Sequence, residues 1–120
     1  MADVVALVDD LFFQSKLMET AKQVGVELRA CSTAEALAAE ISGGAPKLIV
    51  IDLNASGDPI EALRRVQSAG REIPLIAYLS HVQTELAESA RAAGCREVMP
   101  RSKFTRDLAT ILSRAKSEQS

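Results

Sequence analysis

The chain has 120 residues, 48% hydrophobic and 25% charged, which suits one packed domain and excludes both a disordered chain and two ordinary domains. Its formal net charge of −2 argues against a nucleic-acid surface, which would be basic. Its two cysteines, Cys31 and Cys95, lack the pattern of a disulfide framework or a zinc site, and no apolar run or basic leader marks a membrane span or signal peptide, so a cytoplasmic protein is expected.

Val4-Val5-Ala6-Leu7-Val8 is the first apolar run, and it stops at Asp9-Asp10. From Phe12 to Val24, the residues Phe13, Leu17, Ala21 and Val24 recur at helical spacing, and Gly25 ends the helix. Val26 to Cys31 alternates as a half-buried strand. Ser32 stands at capping-box spacing from Glu35, so Ser32 is expected to cap a second helix running to about Ser42 and closed by Gly43-Gly44. Leu48-Ile49-Val50-Ile51 is the purest apolar run, a central strand buried on both faces, and it too ends on an acid, Asp52.

A loop from Asn54 to Pro59, rich in Gly, Ser, Asp and Pro, leads into a helix from Pro59 to Ala69, since proline suits a first helical turn. Leu75 to Leu79 is the fourth strand, and Thr84 to Ala93 the fourth helix, ended by Gly94. Glu97-Val98-Met99 is a short fifth strand, placed at an edge by Pro100, which cannot donate to a ladder. Ser102 is expected to cap the last helix, whose buried face is Phe104, Leu108, Ile111 and Leu112; the tail after Lys116 is polar. With aromatics at only 3% and no tryptophan, the core should be aliphatic. No repeat or linker divides the chain, so residues 1–120 are expected to form a single domain with no output domain.

Regular alternation of strand and helix implies an α/β fold with a parallel sheet covered on both faces. Five strands fit the flavodoxin-like (βα)5 order 2-1-3-4-5, in which strands 1 and 3 are neighbours and ligands bind at their carboxyl ends. Asp9, Asp10 and Asp52 fall there. Three converging carboxylates repel unless a proton or a hard oxygen-binding cation such as Mg2+ intervenes. With the charge balanced, one carboxylate can attack a phosphoryl donor. Asp52 is the expected nucleophile, because it ends the most buried strand.

The plainer alternative is that Asp9-Asp10 caps the first helix and Asp52 merely starts a loop. Acids ending two adjacent strands at the switch point favour a site. A flavin or dinucleotide cradle is excluded by the acidic loop Asp9-Asp10-Leu11-Phe12, which would repel phosphate. Nor does that loop supply the Asp-x-Asp-x-Thr of a haloacid-dehalogenase-type phosphatase.

Over nearly its whole length the sequence resembles the receiver domains of two-component response regulators. The residues carrying the resemblance are Val8-Asp9-Asp10, Ile51-Asp52-Leu53-Asn54, and Ala92-Ala93-Gly94-Cys95 ahead of the fifth strand. It implies that Asp9 and Asp10 hold Mg2+ together with Asp52 and the Asn54 backbone carbonyl, and that Asp52 is the phosphoacceptor for a histidine kinase. The departures are equally specific. Ala55-Ser56-Gly57-Asp58-Pro59 replaces the usual Met-Pro loop and is shorter. The switch hydroxyl falls on Leu79, with Ser80 a substitute if the strand slips. The strand-5 aromatic falls on Val98, and the Lys-Pro pair becomes Arg101-Ser102. The family's cis proline bond has no counterpart before Ser102, so a trans bond and an altered loop path are expected, along which Arg101 need not reach the acids.

Ser80 and Arg101 are the candidates for phosphate contact. His81 reads as a loop or capping histidine, Lys103 as a surface lysine, and Cys31 and Cys95 as small buried hydrophobes. Tyr78 either packs or faces a partner. No general acid or phosphate-binding lysine is placed for a phosphatase, so no enzyme is expected. Two functions remain: a stand-alone phosphoacceptor served by a histidine kinase or phosphotransfer protein and read by a downstream protein partner, or a non-switching pseudo-receiver that acts as an interaction module.

Overall fold

Five parallel strands pair in the order β2-β1-β3-β4-β5 in a computed structural model that describes residues 2–44, 46–69, 72–80 and 84–116. They are β1 (Val4–Leu7), β2 (Leu28–Cys31), β3 (Leu48–Asp52), β4 (Leu75–Leu79) and β5 (Glu97–Pro100). The helices between and after them are α1 (Leu11–Val24), α2 (Ala34–Ser42), α3 (Pro59–Ser68), α4 (Thr84–Ala92), α5 (Arg101–Arg106) and α6 (Leu108–Ser113). The expected flavodoxin-like order is therefore the observed one, with β5 at an edge.

Strand alternation divides the core into two layers. Val5, Leu7, Ile49, Ile51, Ala77 and Leu79 face one cluster with Leu37, Leu63 and Ala90 of α2, α3 and α4. Val4, Ala6, Val50, Ile76 and Tyr78 face the other, with Phe13 and Leu17 of α1, Phe104 of α5 and Leu112 of α6. β1, β3 and β4 are buried at every position, as continuous apolar runs in a two-sided sheet must be. Each fully buried Val, Leu or Ile among them contributes about 1.5–3 kcal/mol of transfer free energy.

Three boundaries differ from the sequence expectation. The Val26 N–H bonds back to the Ala21 carbonyl, as does that of Gly25, whose φ is 87°. Val26 thus closes α1, and β2 begins at Leu28. The cap of α2 is Thr33, whose hydroxyl accepts from the Ala36 N–H, and not Ser32. Ser32 does not cap because Thr33, one residue on, is the last extended residue, at φ −137° and ψ 156°. Nor does Ser102 cap the final helix: α5 starts at Arg101 behind Pro100, and the helical run breaks at Asp107 into α5 and α6. The face of Phe104, Leu108, Ile111 and Leu112 is buried as expected. Among the described residues no helix is long and apolar enough to cross a membrane. His81 and the tail beyond Lys116 lie outside the described residues.

Candidate functional site

β1 and β3 are hydrogen-bonded neighbours, so the chain brings Asp9 and Asp10, just past β1, to the same edge as Asp52, the last residue of β3. The three carboxylates have different partners. Asp9 Oδ2 accepts from the Ser56 N–H (2.8 Å) and hydroxyl (2.6 Å). The Ser56 hydroxyl, then its amide, hold the Asp9 carboxyl below the usual range. Asp10 caps α1, its Oδ1 accepting from the Phe12 and Phe13 amides at 3.0 and 3.3 Å. Its Oδ2 meets Arg101 Nη2 at 3.1 Å, and Arg101 followed by the Phe13 amide lowers the Asp10 pKa.

Asp52 is the only charged residue buried among those described, at 6% exposure. Burial pushes its carboxyl upward, opposed by the Asn54 N–H, which donates to Oδ1 at 2.9 Å, and by the positive charge of Arg101. Asn54 also accepts the Ser80 N–H on its side-chain Oδ1 at 2.6 Å, tying the loop after β3 to the end of β4. β4 has not slipped. Leu79 pairs with Pro100 and is buried, while Ser80 stands exposed just beyond the strand.

Two expectations about the fifth loop part company. The described backbone contains no cis peptide, so the Arg101–Ser102 bond is trans. Arg101 nevertheless does reach the acids, because α5 begins at Arg101 itself and its side chain turns back over α1. Its guanidinium carbon lies 4.3 Å from the Phe13 ring centroid, a cation–π contact that orients it toward Asp10. Lys103 pairs with Asp107 one turn along, as a surface lysine does. Burial raises the Cys31 and Cys95 thiols to about 11.

As arranged, these residues do not fit a three-carboxylate Mg2+ site. Both Asp10 oxygens are committed, one to helix amides and one to Arg101, and the described residues contain no cluster of three His, Cys, Asp or Glu poised around one point. A divalent cation would have to take Asp10 Oδ2 from Arg101.

Sequence reasoning missed two participants. Ser56 had no signal beyond its place in a polar loop. Tyr78, which the sequence alone does not assign to packing or contact, is buried at 1% exposure, stacked on Phe104 (centroids 4.5 Å, 20°) and tilted against Phe13 (5.2 Å, 60°). Three of the chain's four aromatic side chains meet in this stack, directly behind the acid rim.

No family model matches this sequence, and no curated protein matches it. Solved structures do. The receiver domain of NtrX from Brucella abortus superposes with a TM-score of 0.81 at 23% identity, over 98% of this chain and 100% of that one. The receiver domain of the Francisella response regulator 1452 gives 0.80 at 16% identity over 96% of each chain. The signal receiver domain of NarL from Mycobacterium tuberculosis gives 0.79 at 17% over 98% of each. Against a longer NtrX structure, with ADP, this chain spans 26% of the length. The five-stranded order and these superpositions together establish that the chain has the fold of a response-regulator receiver domain.

Proposed function

We propose that the chain is a receiver-type signalling domain that accepts a phosphoryl group on Asp52 from a histidine kinase or phosphotransfer protein and presents the result to a protein partner. The observation that carries this reading is the setting of Asp52: it ends the central strand, is buried at 6% exposure, and is steadied by the Asn54 amide beside the charge of Arg101. A carboxylate so fixed is a preorganised nucleophile. A carboxylate oxygen attacks phosphorus. The bond from phosphorus to the donor's imidazole nitrogen breaks, and its electron pair leaves with the imidazole.

A second reading, a pseudo-receiver that binds a partner without switching, is favoured by Leu79, an apolar side chain where the resemblance requires a hydroxyl. Incubation with acetyl phosphate, with and without Mg2+, followed by intact mass spectrometry separates the two. The phosphoacceptor reading expects a gain of one phosphoryl mass that Asp52→Asn abolishes. No gain under either condition leaves the interaction module.

A further inference from the structure

Among the described residues the Tyr78 hydroxyl is the one buried side-chain polar atom without a hydrogen-bond partner. A tyrosine this deeply buried normally pairs its O–H, because a desolvated hydroxyl left unpaired carries a cost that packing does not return. The rings of Phe13 and Phe104 that enclose it offer no acceptor of that kind. Burial, and after it the charge of Asp52, push the Tyr78 phenol upward, with Arg101 opposing.

The sheet explains this grouping. Tyr78 and Asp52 are register partners on β4 and β3, and partners on parallel strands share a face. Val50 and Ile76, two residues before each, lie in the cluster under α1, α5 and α6, so Asp52 and Tyr78 project to that side. Arg101 closes the same side from above Phe13. Leu79 projects to the opposite layer. The hydroxyl and the cation beside Asp52 therefore lie together on the α1–α5 side of the sheet.

We propose that Tyr78 and Arg101 form an oxyanion subsite for the group carried on Asp52, the ligand class being a tetrahedral phosphoryl or its beryllofluoride mimic. The Tyr78 hydroxyl donates one hydrogen bond to a phosphoryl oxygen or, in the mimic, to a fluorine, and the guanidinium turns to it from Asp10. The occupied state is then read through the Tyr78–Phe104 and Tyr78–Phe13 contacts by α5 and α1. This rests on the phosphoacceptor reading only in taking Asp52 as the attachment point.

Tyr78 is the only tyrosine and there is no tryptophan, so its fluorescence and its ring-carbon NMR signal report one site. Two arms test the subsite. In the first, with no phosphoryl donor present, Asp52→Asn should move the Tyr78 signals, whereas Asp58→Asn, at the exposed cap of α3, should not. In the second, beryllofluoride with Mg2+ is titrated by fluorine NMR, and Tyr78→Phe should weaken binding on the order of tenfold, the loss of one hydrogen bond to a charged group. Tyr78→Phe removes only the hydroxyl and keeps the stack, so it should fold with unchanged or slightly higher stability. Tyr78 signals blind to Asp52→Asn would overturn the subsite, as would absence of beryllofluoride binding or wild-type affinity in Tyr78→Phe, the result expected if an ordered water satisfies the hydroxyl. A chain that binds beryllofluoride through Tyr78 but gains no phosphoryl mass from acetyl phosphate would remove the phosphoacceptor reading and keep the subsite.

Discussion

Arg101 Nη2 lies 3.1 Å from Asp10 Oδ2, joining residues 91 positions apart across the rim of the sheet. Asp10 is thereby divided, with Oδ1 serving the α1 amides and Oδ2 the guanidinium. Both partners are about a third exposed, so solvent screens the pair and its own contribution to stability is small. Its chemical consequence is larger, because Arg101 occupies the Asp10 oxygen that a divalent cation would need.

Removing that side chain should therefore open the position. Arg101→Ala is expected to make the melting temperature rise more steeply with millimolar Mg2+ than it does in the unmodified protein, by mass action on the folded state. Thermal scans across a Mg2+ series check this. Equal responses in the two proteins would mean that Arg101 and Mg2+ do not compete for Asp10.

Asp52 and Asp10 should shape the pH dependence of stability in opposite senses. Burial raises the folded-state pKa of Asp52 above its unfolded value, so its favourable contribution is full below the unfolded value, about 3.9, and is lost as pH rises through the folded one. At neutral pH the charged Asp52 then works against folding, and Asp52→Asn should stabilise the protein, on the order of 1 kcal/mol. The gain should shrink as pH falls through the raised folded value and be gone below the unfolded one. Asp10 is lowered by Arg101, so its contribution is present above the unfolded value and lost as pH falls through the lowered one. Urea melts of the unmodified protein, Asp52→Asn and Asp10→Asn from acid to neutral pH decide the matter; a less stable Asp52→Asn at neutral pH would mark Asp52 as a structural hydrogen-bond acceptor.

The strand order and the meeting of Asp9, Asp10 and Asp52 were legible because they follow from local patterns. β1, β3 and β4 are buried, mainly apolar runs and β2 alternates, and a parallel sheet of this order brings the ends of β1 and β3 together. The pairing of Arg101 with Asp10 was not legible, since it depends on where α5 starts. Ser102 suggested a cap, whereas α5 begins at Arg101 behind Pro100, and the difference of a residue or two redirects the arginine. The cap of α2 failed for a similar reason: Ser32 and Thr33 are adjacent hydroxyl residues, and only backbone dihedrals choose between them. Tyr78 needed the register of β4 against β3 before its neighbour Asp52 could be seen.

Gly57 fixes the other wall of the site. A Cβ there would fall 1.9 Å from the Ser32 carbonyl oxygen and 2.9 Å from the Thr33 Cα, both backbone atoms that cannot turn aside. The Gly57 carbonyl also accepts the Ala34 N–H at 3.0 Å, so the loop after β3 is seated on the start of α2. Gly57→Ala should cost about 1–3 kcal/mol through overpacking. It should also disturb Ser56, and with it the Asp9 contact. Chemical denaturation measures the first effect and Asp9 side-chain NMR the second; a wild-type midpoint would show that the loop moves away freely.

The last prediction concerns the layer that holds Leu79. Leu79 is 4% exposed and belongs to the cluster with Leu53, Leu63 and Ala90, against which Val98 packs in part. Neither residue offers the contacts the receiver resemblance would use for switching: leucine has no donor, and valine is stiff at χ1 and has no ring to swing. The Ser80 amide is held by Asn54 Oδ1 at 2.6 Å, which keeps β4 from slipping to bring a hydroxyl into Leu79's place. A bound group shifts a conformational equilibrium only by its differential contacts with the two states, and on this face there are none to draw on. Beryllofluoride with Mg2+ should therefore shift backbone amide signals in the loops after β1 and β3 and along α1 and α5, while α4 and Val98 stay still. Leu79→Thr should lose about 1–3 kcal/mol, from the lost methylene and a hydroxyl placed among aliphatic side chains, and should leave Val98 as still as before. Large shifts running from Leu79 through Val98 into α4 in the unmodified protein would show that this layer switches without the hydroxyl and the ring.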